Sequence, residues 1–263
     1  MPAAGKVIVT TMAVIPFYGG SPESYQVEFT AWVVVVRPER CAHCGAEQTY
    51  IFWGSYLRWV RFTTHRLHIR IERVRCTVCG VTDAILPSFL HIFRHYALSL
   101  IQQAITLAIE GGLWGDALAD AVGPYNQPAF STVHEWVWSF VLSAVWLLPW
   151  LQGTLLALDP QASLDPGRPP RHLLEIQNAR RQTAFLQGWQ ILQLAQVLYA
   201  TTRAQQPDLA FQATMLLAFL AVALGAAGRM PRLLWPNGVV PSATRPTQSG
   251  RQPLRPTNPA RPP

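Results

Sequence analysis

The sequence predicts an α+β fold in which a small β-rich unit is followed by an all-α helical body and a disordered C-terminal tail. Three observations support this fold class. Runs of β-branched and aromatic residues dominate roughly the first 90 positions, and apolar residues at helical spacing begin near residue 88. The last two dozen residues or so are rich in proline and arginine and hold too few apolar side chains to form a core.

The order of these segments divides the chain into five parts. They are a β-rich domain (1–90), a helical unit (91–158), a Pro/Arg-rich connector (159–182), a helical hairpin (183–235) and a disordered basic tail (236–263).

Three segments of the β-rich part have the composition of strands. Residues 25–36, 49–62 and 66–72 are rich in valine, isoleucine and aromatic residues, and the third alternates apolar with polar side chains. Gly54 inside the second segment indicates a bend or bulge. Arg73–Val74–Arg75 breaks that register just before the second cysteine pair.

All four cysteines lie in two copies of the motif Cys-x-x-Cys-Gly, "CAHCG" at 41–45 and "CTVCG" at 76–80. Two intervening residues let both sulfurs of a pair reach one ion from a tight turn, and four thiolates complete a tetrahedral zinc site. The spacing therefore predicts a zinc ribbon with one structural Zn²⁺, and we expect His43 and His68 to be surface histidines. The predicted ligands are Cys41, Cys44, Cys76 and Cys79.

The alternative for these cysteines is a pair of disulfides or redox dithiols. A thioredoxin-type motif needs a strand–helix–strand context, and the sequence around neither pair has one. The N-terminus also lacks the strongly basic start and cleavage site of a signal peptide, so we expect a reducing, cytoplasmic location.

The positive charge is concentrated at the two ends of the chain. The net charge of +7 combines +4 over residues 1–95, −4 over 96–158, +1 over 159–228 and +6 over 229–263. Basic surfaces of this kind favour a polyanionic partner, and we expect DNA, with binding that need not be sequence-specific. The candidate contacts in the β-rich part are Arg58, Arg61, Arg66, Arg70, Arg73 and Arg75.

Helices predicted at about 97–110, 114–122 and 130–142 have the lengths of a helix-turn-helix unit. Ser131 and Thr132 would lie at the start of the third helix, where such a motif contacts DNA bases, and Ser131 would be its N-cap. No lysine or arginine occurs between Arg94 and Arg168, which favours the alternative of a plain three-helix core. Pro149 should kink or end the third helix.

The stretches "RPERCAHCG", "RIERVRCTVCGVTDAILPSFLHIFRHY" and "STVHEWVWSF" resemble an uncharacterised bacterial four-cysteine zinc-ribbon family. Its members are similar to the N-terminal zinc-ribbon and helix-turn-helix part of insertion-sequence transposases. The resemblance covers roughly residues 30–145 and implies zinc ligation by the four cysteines. It also implies that Ser131, Thr132 and Trp136 are helix-turn-helix positions.

The sequence favours a DNA-binding protein without catalytic activity. The acids after residue 145 fall in the connector or at helix ends, with no strand pattern to arrange them around metal ions, so a transposase remnant lacking its catalytic domain is the closest enzymatic alternative. The other alternative is a membrane-anchored zinc-ribbon protein at the inner membrane that recruits a partner. It rests on the uncharged stretches 137–158 and 209–227.

Overall fold

We analysed a computed structural model of the chain. The structure describes residues 13–14, 18, 20–41, 43–91, 94–122, 128–206 and 216–226. The predicted disordered tail lies outside the described residues, as does part of the segment 209–227.

The described chain places a small sheet before a group of helices, which confirms the α+β fold class. The strands are β1 (Ala13–Val14), β2 (Tyr50–Arg61), β3 (Arg66–Cys76) and β4 (Thr82–Ile85). The helices are α1 (Tyr25–Val35), α2 (Leu98–Ile109), α3 (Asp116–Val122), α4 (Phe130–Leu142), α5 (Ala144–Leu158), α6 (Arg171–Leu174), α7 (Ala179–Gln205) and α8 (Leu216–Ala226).

The sheet has the strand order β1-β4-β3-β2 and is built around the long β2–β3 hairpin. β2, β3 and β4 pair antiparallel, and the two-residue β1 joins β4 in parallel. The β2–β3 register shifts between Phe52 and Ser55, and Gly54 there has a φ of 96°. The predicted bulge is confirmed, since glycine tolerates this left-handed backbone conformation.

The prediction of a strand over 25–36 is wrong, because residues 25–35 form helix α1. Its buried side chains, Tyr25, Phe29 and Val33, recur every four residues and contact the core from one side of a helix. The Tyr25 hydroxyl donates to the Arg70 carbonyl at 3.2 Å, and the Gln26 amide donates to the His68 carbonyl at 2.8 Å. The helix thus covers the carbonyls that β3 leaves unpaired at its free edge.

The helical body is organised around α2, which is buried along its length and packs against α3, α4, α7 and α8. α5 packs along α7. The predicted helices near 97–110, 114–122 and 130–142 are confirmed with small shifts of their ends. The core of the helical body is continuous with that of the sheet, and Tyr96, next to the start of α2, contacts the ring of Trp136 in α4.

The kink expected at Pro149 lies earlier in the chain. α4 and α5 are bent by 54° relative to each other, and the break falls at Ser143 between them. The Ser143 hydroxyl donates to the Phe140 carbonyl at 2.6 Å, a bond that competes with helix hydrogen bonding and commonly bends helices. Pro149 lies inside α5.

Among the described residues, no single helix has both the length and the apolar composition needed to cross a membrane. The bent pair α4 and α5 passes that test by length and composition only.

Gly188 sets the distance between α7 and its neighbours. A Cβ built there would lie 2.6 Å from Val141 Cγ1 in α4 and 3.0 Å from Ile109 Cδ1 in α2. We therefore expect Gly188→Ala to lower the free energy of unfolding by about 1–3 kcal/mol through overpacking, measured by denaturant titration.

Gly153→Ala in α5 is the matched control, because a Cβ there meets nothing within 4 Å. That substitution should raise stability by up to about 1 kcal/mol through helix propensity. Adding Val141→Ala to the Gly188 variant should recover part of the loss, and no recovery would mean that the clash does not set the helix spacing.

Candidate functional site: a four-thiol centre on a basic hairpin

The two Cys-x-x-Cys motifs fold into two turns of matching geometry. Gly45 N–H donates to the Cys41 carbonyl at 2.8 Å, and Gly80 N–H donates to the Cys76 carbonyl at 2.9 Å. Both glycines have a positive φ, 75° and 74°, and any residue with a side chain would be strained in this backbone conformation. In each turn the first cysteine is buried and the second is exposed.

The turns bring four sulfurs together. Cys41 Sγ lies 3.7 Å from Cys79 Sγ, and Cys44 Sγ lies 3.7 Å from Cys76 Sγ, while all four sulfurs fall within 4.8 Å of one another. Four sulfurs held about 2.3 Å from one tetrahedral ion would be about 3.8 Å apart. The cluster therefore fits a four-coordinate metal ion, and the four cysteines are free rather than paired in disulfides.

The hydrogen bonds around the cluster favour thiolate at Cys76. Burial alone would raise the pKa of this thiol, but the Thr49 hydroxyl at 3.3 Å and the backbone N–H groups of Cys79 and Val78 bond to its sulfur. Together they lower the pKa of Cys76 to about 6. Thiolate is the form that binds metal, so the lowered pKa favours Cys76 as a metal ligand.

Cys79 has the opposite electrostatic environment from Cys76. The Val81 N–H favours its thiolate, but burial and the three neighbouring sulfurs outweigh that bond and raise the pKa of Cys79 to about 12. Four negative thiolates at this separation need a shared positive ion.

A buried carboxylate fastens the first turn to the sheet. The Asp83 side chain has no exposed surface and lies 3.0 Å from His43 Nε2, and it accepts a hydrogen bond from the Tyr50 hydroxyl. Burial first, and then Asp83, raises the pKa of Tyr50 and keeps this phenol neutral. The Tyr50 hydroxyl also helps to lower the pKa of the Cys41 thiol, so the network reaches a predicted ligand.

The expectation that His43 is a surface histidine is wrong, since its side chain is only 4% exposed. The signal in the sequence was weak, because nothing near His43 identifies Asp83 as its partner. His68 is exposed, as predicted.

The buried side of the hairpin changes at the bulge. We call the half of the hairpin next to the β2–β3 turn the outer half and the half next to the cysteine turns the inner half. Ile69 and Ile71 of β3 are buried in the outer half, and Val74 and Cys76 are buried in the inner half. These two sets lie on opposite sides of β3, because side chains alternate along a strand. β3 continues through Arg73–Val74–Arg75 to Cys76, and its burial pattern shifts by one residue there, which agrees with the predicted break of register.

Each half consequently exposes the side that the other half buries. We call the exposed outer side the tip face, and it carries Leu57, Trp59, Arg66, His68 and Arg70. We call the exposed inner side the base face, and it carries Ile51, Trp53, Arg73 and Arg75.

The six candidate arginines fall into distinct environments. Arg58 is 8% exposed and donates to the His91 carbonyl at 2.8 Å, so its charge is not presented at the surface and the prediction for it is corrected. Arg61 is half-buried and donates to the Tyr96 hydroxyl. Arg66 and Arg70 are exposed on the tip face, and Arg73 and Arg75 lie on the base face.

Ser131 and Thr132 lie in the first turn of α4, exposed and half-buried respectively. Ala129 rather than Ser131 is the N-cap of this helix, so the capping prediction is wrong. Trp136 is fully buried and faces the core. Glu135 of the same helix forms an ion pair with Arg94 at 2.8 Å.

Replacing any one cysteine by serine should abolish stoichiometric metal binding, because hydroxyl oxygen is a much poorer ligand than thiolate in a four-sulfur site. We expect about one metal ion per chain in the wild type, counted by elemental analysis. Chelation should unfold the β2–β3–β4 sheet while much of the helical signal in far-ultraviolet circular dichroism remains.

Thr77→Ala, an exposed non-ligand inside the second turn, is the control and should keep its metal. Metal-free wild-type protein with two disulfides, detected by mass spectrometry, would contradict the metal centre.

Asp83→Ala should weaken both stability and metal retention. It leaves the Tyr50 hydroxyl and His43 Nε2 without this shared acceptor in a buried site, at a cost of about 1–3 kcal/mol in the free energy of unfolding. Loss of the support to Cys41 should lower metal affinity by about 10- to 100-fold, measured by competition with a chromogenic chelator.

The neighbouring Thr82→Ala, which changes an exposed side chain of the same strand, should leave both quantities near wild type. Unchanged chelator competition in Asp83→Ala would show that the carboxylate does not support the ligands.

Comparisons with known proteins give one match, which covers the thiol centre and the hairpin. Residues 36–112 match a domain of unknown function (DUF6431), less than a third of the chain. No curated protein and no solved structure matches the chain.

Proposed function

We propose that the protein is a zinc-ribbon DNA-binding protein without catalytic activity, related to the DNA-binding part of a transposase. The ion assigned to the four thiols is Zn²⁺, because four thiolates in a tetrahedron select zinc among the common divalent ions. With four protein ligands, no coordination position remains for substrate, so the metal's role is structural.

One observation supports the DNA assignment: the hairpin attached to the four-thiol centre carries an excess of positive charge. The segment Tyr50–Cys76 contains six arginines and one acid, Glu72. Glu72 is only 8% exposed, and burial raises its pKa, so it contributes little negative charge at the surface. Exposed arginines in such a setting favour phosphate groups as partners.

The tip face offers the clearest pair of phosphate contacts. Arg66 and Arg70 each lie two residues from His68, before and after it, and therefore on the same side of β3. Arg70 Nε donates to Ser55 Oγ at 2.9 Å, and its guanidinium lies 4.8 Å from the centre of the Phe29 ring. These contacts hold the group in place before a ligand arrives, which reduces the entropy lost on binding.

The membrane-anchored alternative keeps one supporting observation, the length and composition of the bent pair α4 and α5. It predicts that carbonate-washed membranes retain the protein, whereas the DNA-binding proposal requires no such retention.

Arg66→Ala combined with Arg70→Ala should weaken binding to duplex DNA about equally for all sequences, because phosphate contacts position a protein without reading bases. Between about 50 and 200 mM salt, the slope of log affinity against log salt should become shallower by about 1.8, or about 0.9 for each lost contact. Fluorescence anisotropy with labelled duplexes measures both effects.

The double variant Arg168→Ala and Arg180→Ala is the matched control, because it removes the same charge from exposed positions outside the hairpin. Ser131→Ala with Thr132→Ala forms a second arm, which should alter preference among sequences only if α4 contacts base edges. Binding indifferent to salt, or equal losses in the hairpin and control variants, would sink the proposal.

A further inference from the structure

Trp59 is the most exposed aromatic side chain of the hairpin. Its residue is 56% exposed, and its neighbour two positions earlier on the same side, Leu57, is 59% exposed. Exposing an indole to water forgoes the free energy that its burial would supply. Adjacent exposed apolar side chains of this size commonly mark a binding surface.

The His68 ring covers one face of the Trp59 indole. The indole stacks on the His68 ring with centroids 4.0 Å apart and an angle of 17° between the planes. His68 is directly opposite in the β2–β3 register, so the backbone ladder fixes this pair. One face of the indole is thus covered by His68, and the exposed fraction belongs to the remaining face and edges.

Arg66 and Arg70 flank this stacked pair. Arg70 is opposite Leu57, and Arg66 is opposite Arg61, so the two guanidiniums lie on the same side of the sheet as the indole. A flat aromatic surface between two cations matches the chemistry of an unpaired base joined to a phosphate backbone.

We propose that the tip face binds single-stranded DNA, with an unpaired base stacking on Trp59 and adjacent phosphates contacting Arg66 and Arg70. The inference rests on the proposed function and assigns the strand state of the ligand. Bases in a duplex are stacked on each other and present only their edges, so the indole face gains a partner only from an unpaired strand.

The charge of the tip face argues against a second copy of this chain as the occupant. In a twofold dimer the same patch meets itself, so Arg66 and Arg70 would approach their own copies without an exposed acid of the hairpin to compensate them. A polyanion removes that repulsion.

The test compares Trp59→Ala with wild type on a 12-nucleotide oligo(dT) strand and on a duplex of the same length, by fluorescence anisotropy at salt concentrations between about 50 and 200 mM. Loss of one stacked base should weaken strand binding by about tenfold or more and duplex binding by less than about twofold. Trp59→Phe keeps a stacking ring and should recover most of the strand affinity.

Trp53→Ala is the matched control. Trp53 is also exposed, at 46%, but it lies against Arg75 on the base face, on the opposite side of the hairpin. Its removal should change strand affinity by less than about twofold, a small fraction of the loss expected for a stacked base. Circular dichroism and metal content verify that every variant is folded.

The outcomes separate the two proposals. If wild type binds strand and duplex with a steep salt dependence and Trp59→Ala changes neither, the stacking inference is wrong and the DNA-binding function stands. If wild type binds no nucleic acid in a salt-dependent manner, both fail. The assignment to DNA would be overturned if the protein bound oligo(U) about tenfold more tightly than oligo(dT). It would also be overturned by Trp59-dependent binding to anionic phospholipid vesicles without binding to the strand.

Discussion

The antiparallel ladder between β2 and β3 is the constraint on which the rest of the structure depends. At its inner end it pairs Tyr50 with Cys76, and so holds the second cysteine turn beside the first residue of β2. At its outer end, Arg61 N–H donates to the His95 carbonyl and the Arg61 carbonyl accepts from Ala97 N–H. The same ladder therefore joins the metal centre to the entry of α2 and, through it, to the helical body.

A metal ion held by the four thiols would compensate for a sheet whose two halves are each covered on one side only. Because the buried side changes at the bulge, neither half of the hairpin has the continuous apolar side that would pack against one neighbouring layer. A bound ion that crosslinks both turns supplies folding energy at the half that holds the thiols. The Asp83–His43 contact adds a second attachment of the first turn to β4.

Sequence-based prediction succeeded for elements that depend on local pattern and failed where tertiary contacts decide. The two cysteine turns, the hairpin and the bulge at Gly54 depend on spacing, alternation and glycine chemistry, and all were predicted. Residues 25–36 were assigned to a strand because of their valines, yet α1 forms because Tyr25, Phe29 and Val33 all find core partners on one side. The helix propensity lost at exposed valines is smaller than that gain.

The candidate site shows the same division. The four thiols could be named from the sequence, since their chemistry is carried by the residues themselves. The roles of Asp83 and His43 could not, because they depend on a contact across 40 residues that no local pattern encodes. Likewise, six similar arginines in the sequence become one buried, two half-buried and three exposed side chains only through the register of the ladder.

The register also links the four-thiol centre to the tip face of the hairpin. Side chains alternate with a period of two, so a one-residue slip of β3 against β2 would turn Arg66 and Arg70 inward and expose Ile69 and Ile71. Cys76 terminates β3, and an ion bound to its sulfur fixes where that strand ends relative to Tyr50. The ion can therefore determine which residues meet a ligand without contacting that ligand.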